Sequence, residues 1–126
     1  MIKVDGLHEL AVRLARHDLP VIEKAALEDA ATVLRDAVRQ RLSRRPGGPH
    51  DAPWIRSGAL RDSVSCEVSD TEAVIGSADP VAVDQECGTR TDPPRPFLAP
   101  VAAAEAGTLV TDIATTIHDR LRALLS

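Results

Sequence analysis

Residues Ser43 to Ile55 divide this chain into parts that fold by different rules. Pro46-Gly47-Gly48-Pro49, followed by Pro53, removes backbone donors and breaks both helical and extended periodicity. The stretch 43–57 therefore reads as an exposed, mobile loop. Before it, apolar residues recur at helical spacing; after it, the period drops to two and then returns to helical. One uninterrupted bundle is excluded by that pattern, and so is an all-β fold.

On the N-terminal side, Leu7, Leu10, Ala11 and Leu14 mark a short amphipathic helix, begun near Asp5 or Gly6 and ended by Asp18-Leu19-Pro20. Pro20 suits the first turn of the next helix, where its missing N–H costs nothing. That second helix is expected from Val21 to Leu42. Its stripe is Ile22, Ala26, Ala30, Val33, Ala37 and Arg41, widened by Leu34 and Val38. Arg39, Arg41, Arg44 and Arg45 at its end oppose the negative pole of the helix dipole.

On the C-terminal side, Val64, Cys66 and Val68 alternate with Ser63, Ser65 and Glu67, Ser69-Asp70-Thr71-Glu72 has turn chemistry, and Ala73-Val74-Ile75-Gly76 is the return strand. Val81 to Cys87 fits either a helical turn or a third strand. Thr91 to Pro96 is stiff, extended chain. A final helix, Phe97 to Leu125, carries Leu98, Ala102, Leu109, Ile113, Ile117, Leu121 and Leu124 on one face, with Gly107 a kink candidate. The fold class expected is α+β: N-terminal helices and a long C-terminal helix packed on a small antiparallel sheet. The 126 residues form a single domain in this reading, with two helices over 5–42, the loop over 43–57, a hairpin region over 60–90 and a helix over 97–125.

Composition narrows the function classes. Trp54 and Phe97 are the only aromatics, so the core must be aliphatic around them. A formal net charge of -4 argues against general nucleic-acid affinity, although cations concentrate from Arg39 to Arg56 with only Asp51 against them. That basic loop is either solvated or a contact for phosphates or an acidic neighbouring subunit. Cys66 and Cys87 read as buried free thiols. No signal-like or membrane-spanning apolar run occurs, which points to a chain made in the cytoplasm and soluble there.

No catalytic, cofactor-binding or metal-ligating constellation is legible. His8, His17, His50 and His118 lack ligand spacing, and Ser57, Ser63 and Ser65 have no base nearby in sequence. Glu86 is the one acid that stands out. It reads as an ion pair or capping carboxylate, or as a contact between subunits, with Arg61, Arg90 or Arg95 as partner.

Four short motifs remain: Gly6-Leu7-His8-Glu9-Leu10, Ser57-Gly58-Ala59-Leu60-Arg61-Asp62-Ser63, Glu86-Cys87-Gly88-Thr89 and Pro94-Arg95-Pro96-Phe97-Leu98. In this order and spacing the chain resembles the siphophage head-to-tail joining family, also described as neck, tail-completion or gene-product-10-like proteins. The likeness spans about residues 4 to 125. It departs from the family where an aromatic normally follows the Glu, here Cys87, and where aromatics normally stand upstream, here Val81 and Asp84.

The resemblance implies a virion protein, not an enzyme, working without cofactors. It would form a six-fold homo-oligomeric ring in the neck of a tailed phage, prophage or gene-transfer particle, each subunit offering two different faces. Neighbours would be head-closure or adaptor proteins and tail-tube or terminator proteins, with non-specific DNA contact in the lumen and no membrane. Gly58, Leu60, Gly88, Thr89, Pro96 and Phe97 would be structural. Arg44, Arg45, Arg56, Glu86 and Arg95 are the assembly candidates. A tail-tube terminator, a head-closure protein and, in another class, a small nucleic-acid-binding regulator are the alternative readings.

Overall fold

The structure is a computed structural model and describes residues 18–47 and 50–125. The expected first helix and the Gly6–Leu10 motif lie outside the described residues. The elements are α1 (Leu19–Arg41), α2 (Ala59–Ser63), β1 (Val64–Val68), β2 (Ala73–Ser77), α3 (Val81–Cys87) and α4 (Ala99–Leu125). This is an α+β fold, a long helical pair laid against a two-stranded antiparallel hairpin.

Pro20 occupies the first turn of α1, as its chemistry requires. The helix buries Ile22, Ala26, Ala31 and Val38, so its inward face is rotated from the expected stripe and Val33 points outward, 47% exposed. The C-terminal turn of α1 lies beside the first turn of α4, where Arg41 Nε donates to the Pro96 carbonyl at 3.1 Å. From there α4 runs back along α1, the most extensive helix pairing in the fold. Half-buried Val101, Glu105, Leu109, Ile113, Ile117 and Leu121 form its inward stripe at a four-residue spacing. Ala102 and Leu124, expected on that stripe, are exposed, and the helix is continuous through Gly107.

The hairpin pairs Val64 with Ser77 at its base and Val68 with Ala73 at its tip. The Ser69–Glu72 turn closes with Ser69 N–H donating to the Glu72 carbonyl at 2.8 Å. Val64, Cys66 and Val68 lie toward the protein and Ser65 and Glu67 toward solvent, as the alternation predicts. Both strands pack against α1. The core sits where α1, the hairpin base, α3 and the start of α4 meet: Val38, Leu42, Val64, Ala82 and Phe97 are buried there, with Leu60, Ile75, Leu98 and Val101 packed around them. Phe97 is fully buried, and removing its ring from water contributes about 2–3 kcal/mol.

Several expectations need correction. Residues Ala59–Ser63 form a helical turn before the strand starts. Val81–Cys87 is a helix and not a third strand, because Pro80 and the Asp79 Oδ1 acceptor for the Val81 N–H start a helical turn. The 43–57 loop is partly packed, with Ala52 and Pro53 buried and Ile55 N–H donating to the Arg44 carbonyl. Both cysteines are free, but Cys66 is half-buried and Cys87 exposed, so the burial expected for both is wrong for Cys87.

Candidate functional site

The three motifs within the described residues meet at one joint. Gly58 adopts φ 84°, the left-handed conformation, and starts α2, with Asp62 N–H returning to its carbonyl at 2.9 Å. Ser57 Oγ accepts from the Ala59 N–H at 3.2 Å. Leu60 then turns toward the core, and Ser63 Oγ donates to the Leu60 carbonyl and lies 2.5 Å from Ser77 Oγ. Ser77 Oγ in turn accepts from the Asp79 N–H. The motif's last serine thus ties α2 to the hairpin base and to the chain entering α3.

Gly88 ends α3 with φ 78° and ψ 169°, a region open essentially to glycine alone. A Cβ there would lie 2.8 Å from the Pro94 nitrogen, so the reversal is closed on both sides of the turn. Thr89 builds that turn: its N–H donates to the Asp92 carbonyl, and its Oγ1 accepts from the Asp92 and Thr91 N–H groups. The chain leaves a helix at this point, the helical of the two readings open for Val81–Cys87. Arg95 N–H donates to the Gln85 carbonyl and lays Pro96 and Phe97 along α3.

Glu86 completes the joint. Its Oε2 accepts from the Phe97 and Leu98 N–H groups at 2.8 and 3.0 Å, and its Oε1 from the Ala99 N–H at 3.0 Å. A carboxylate from α3 therefore caps the start of α4, satisfying donors that no intrahelical acceptor reaches. Burial disfavours its charge, but the N–H donors of Leu98, Ala99 and Phe97 and the nearby Arg41 guanidinium outweigh it and hold the carboxyl below the ordinary glutamate value of 4.5. The arginine partner expected for Glu86 is replaced by backbone: among the described residues it forms no ion pair with Arg61, Arg90 or Arg95.

Beside this joint lies an open groove of about 370 Å³. Arg56, Arg61 and Arg95 line it, with Trp54, Val81 and His50. His50 stacks on Trp54 with ring centroids 3.8 Å apart and planes 17° from parallel. Desolvation and the positive charges of Arg95 and Arg56 hold its imidazole below the ordinary 6.5. The groove's positive charge at neutral pH therefore comes from the arginines. Arg61 pairs with Asp62 at 3.0 Å; among the described residues the guanidinium groups of Arg56 and Arg95 make no ion pair.

Folding brings Ser57, His50 and Asp79 to this groove, but no hydrogen bond joins them. Ser57 accepts from Ala59, His50 stacks on Trp54, and Asp79 Oδ1 accepts from the Val81 N–H. The nucleophile–base–orienter relay that such residues can form is not assembled. Among the described residues no group of three His, Cys, Asp or Glu side chains is placed to hold a metal ion, and no helix is long and apolar enough to cross a membrane.

Of the assembly candidates, the groove unites Arg56 and Arg95. Glu86 serves the α4 cap. Arg44 pairs with Asp51, which Arg41 also approaches at 3.9 Å, and lines a separate hollow between α1 and α4. Arg45 is exposed and lines neither hollow. Arg61, expected only as a partner for Glu86, lines the groove instead, and the His50–Trp54 stack was not foreseen from the sequence. The signal was present in the scarcity of aromatics, since one of only two stands four residues from a histidine in the same loop.

Comparison with protein-family models, curated proteins and solved structures finds no match to this chain.

Proposed function

We propose that this protein is a structural subunit of a tailed phage, prophage or gene-transfer particle, forming a ring in the neck that completes the tail and joins it to the head. The observation that carries this reading is the ordered set of motifs resembling the joining family, two of which meet at the Glu86 cap while Leu60 of a third packs against the same Phe97 core. The role is mechanical. A joint closed by Gly58, Gly88, Phe97 and the Glu86 cap fixes the hairpin, α3 and α4 relative to one another, so a subunit can hold two different faces at a constant angle. Constant angle is what a closed heterologous ring demands, because an error per subunit accumulates around it. One end of the ring would meet head-closure or adaptor proteins and the other the tail tube or its terminator, with DNA passing through the lumen.

Gold-labelled antibody against this protein, applied to purified particles, tests the placement. The reading predicts label at the head–tail junction. Label along the tube, or particles that lack the protein altogether, would contradict it.

A further inference from the structure

The chain is divided electrically as sharply as it is divided structurally. Residues 39–61 hold six arginines, one histidine and a single acid, whereas residues 62–89 hold seven carboxylates and no Lys, Arg or His. Folding carries three of these carboxylates, Glu67, Asp70 and Glu72, toward the hairpin tip, whereas Asp62 and Asp79 stay at its base, Asp79 lining the groove, and Asp84 and Glu86 lie in α3. The groove lies at the hairpin base, where Gly58–Arg61 precede β1 and Asp79 follows β2. Glu67, Asp70 and Glu72 are exposed at or near the tip, and among the described residues their carboxylates make no ion pair.

We infer that the Arg56–Arg95 groove receives the acidic hairpin tip of a second copy of this chain. The inference rests on the ring reading and supplies its subunit contact. Five residues per strand separate tip from base, roughly 14 Å at the usual rise, so a subunit cannot seat its own tip in its own groove. Tip and groove are different surfaces of one subunit, so their pairing is head-to-tail and propagates, as a ring requires. Trp54 and Val81, the latter 47% exposed, give the groove an apolar floor beside its charges. That matters because solvent-exposed ion pairs are individually weak. The contact therefore forms weakly between free subunits and is salt-sensitive.

The test uses charge exchange on the full chain. A tip variant carries Glu67→Lys, Asp70→Lys and Glu72→Lys; a groove variant carries Arg56→Glu and Arg95→Glu. Sedimentation equilibrium and native mass spectrometry are run at about 50 mM and about 500 mM NaCl, which changes the screening length several-fold. The wild-type chain is expected to self-associate at low salt, and each variant alone to do so about ten-fold more weakly or less. An equimolar mixture of the two variants is expected to regain association, since the basic tip then meets an acidic groove. This recovery also shows that both variants fold.

Variants that associate as well as the wild type would overturn the tip–groove contact and leave a ring built through other faces intact. A wild-type chain that stays monomeric, with a mixture that does the same, would also overturn it, and the neck reading would still stand or fall on the particle labelling. Salt-dependent binding of duplex DNA abolished by the groove variant, without self-association, would assign the groove to nucleic acid instead.

Discussion

Two glycines at the joint carry different burdens, and their substitution separates them. At Gly88 the backbone conformation excludes side chains, and a Cβ would press on backbone atoms of Pro94 that cannot move aside. Gly88→Ala is expected to cost on the order of 2–3 kcal/mol. At Gly58 the nearest atom to a new Cβ is the tip of the Arg61 side chain, which can swing away, leaving mainly the left-handed penalty of about 1–2 kcal/mol. Urea unfolding of both variants should preserve that order; equal losses would mean that the Pro94 contact does not hold the turn. Glu86 gives a pH test. Its carboxyl is depressed in the folded state, so its contribution is complete above the ordinary value of 4.5 and is lost as pH falls through the lower folded value. Glu86→Gln should cost about 1–2 kcal/mol at pH 7. The gap between variant and wild type should close as the pH drops below 4.5. A gap that is constant down to pH 3 or so would place the stabilisation outside the carboxylate's charge.

At the scale of elements, the decisive relation is that between α1 and α4. Arg41 bonds the Pro96 carbonyl just before α4 and places its charge near the Glu86 carboxylate that caps the same helix. Removing either partner disturbs one shared network, so the effects of Arg41→Ala and Glu86→Gln should not add. A coupling of about 0.5–3 kcal/mol is expected in a double-mutant cycle, and simple additivity would mean that the two anchor α4 independently. Phe97→Ala, which empties the centre of the core, should cost about 3–5 kcal/mol in the same unfolding assay. Much of this layer was legible in the sequence. The hairpin followed from strict alternation and a turn-rich tetrapeptide, and both long helices followed from apolar spacing and from proline at their starts. What was hidden depended on contacts distant in the chain. Glu86 sits eleven residues before Phe97, so although a capping carboxylate was one of its readings, the helix it caps could not be seen beside it. Among the described residues the arginine partner expected from Arg61, Arg90 or Arg95 is absent. The inward face of α1 is decided by what β1 and α4 place against it, and a chain so rich in alanine leaves that face weakly specified. The helical turn at Ala59–Ser63 arises because Gly58 and the Ser63–Ser77 contact act together, which alternation alone does not encode.

At the scale of the whole molecule, a net charge of -4 conceals charges segregated along the chain, with Glu67, Asp70 and Glu72 exposed near the hairpin tip and Arg56 and Arg95 in the groove at its base. Arg39 and Arg41 are spent on backbone carbonyls and Arg44 on Asp51, which leaves Arg56 and Arg95 to define the groove and Arg45 exposed. The basic loop is thus less free than its composition suggests, and Arg45→Glu alone should leave low-salt self-association within about two-fold of wild type. A large loss in sedimentation would move the contact from the groove to the loop. The central claim, that this is a neck component, is tested most directly by deleting the gene from the genome that carries it and imaging the resulting particles by electron microscopy. Separate DNA-filled heads and finished tails are the predicted result, with joined virions restored when the gene is supplied from a plasmid. Intact, infectious virions without the protein would contradict the account, and abnormally long tails would place it at the end of the tube rather than in the neck.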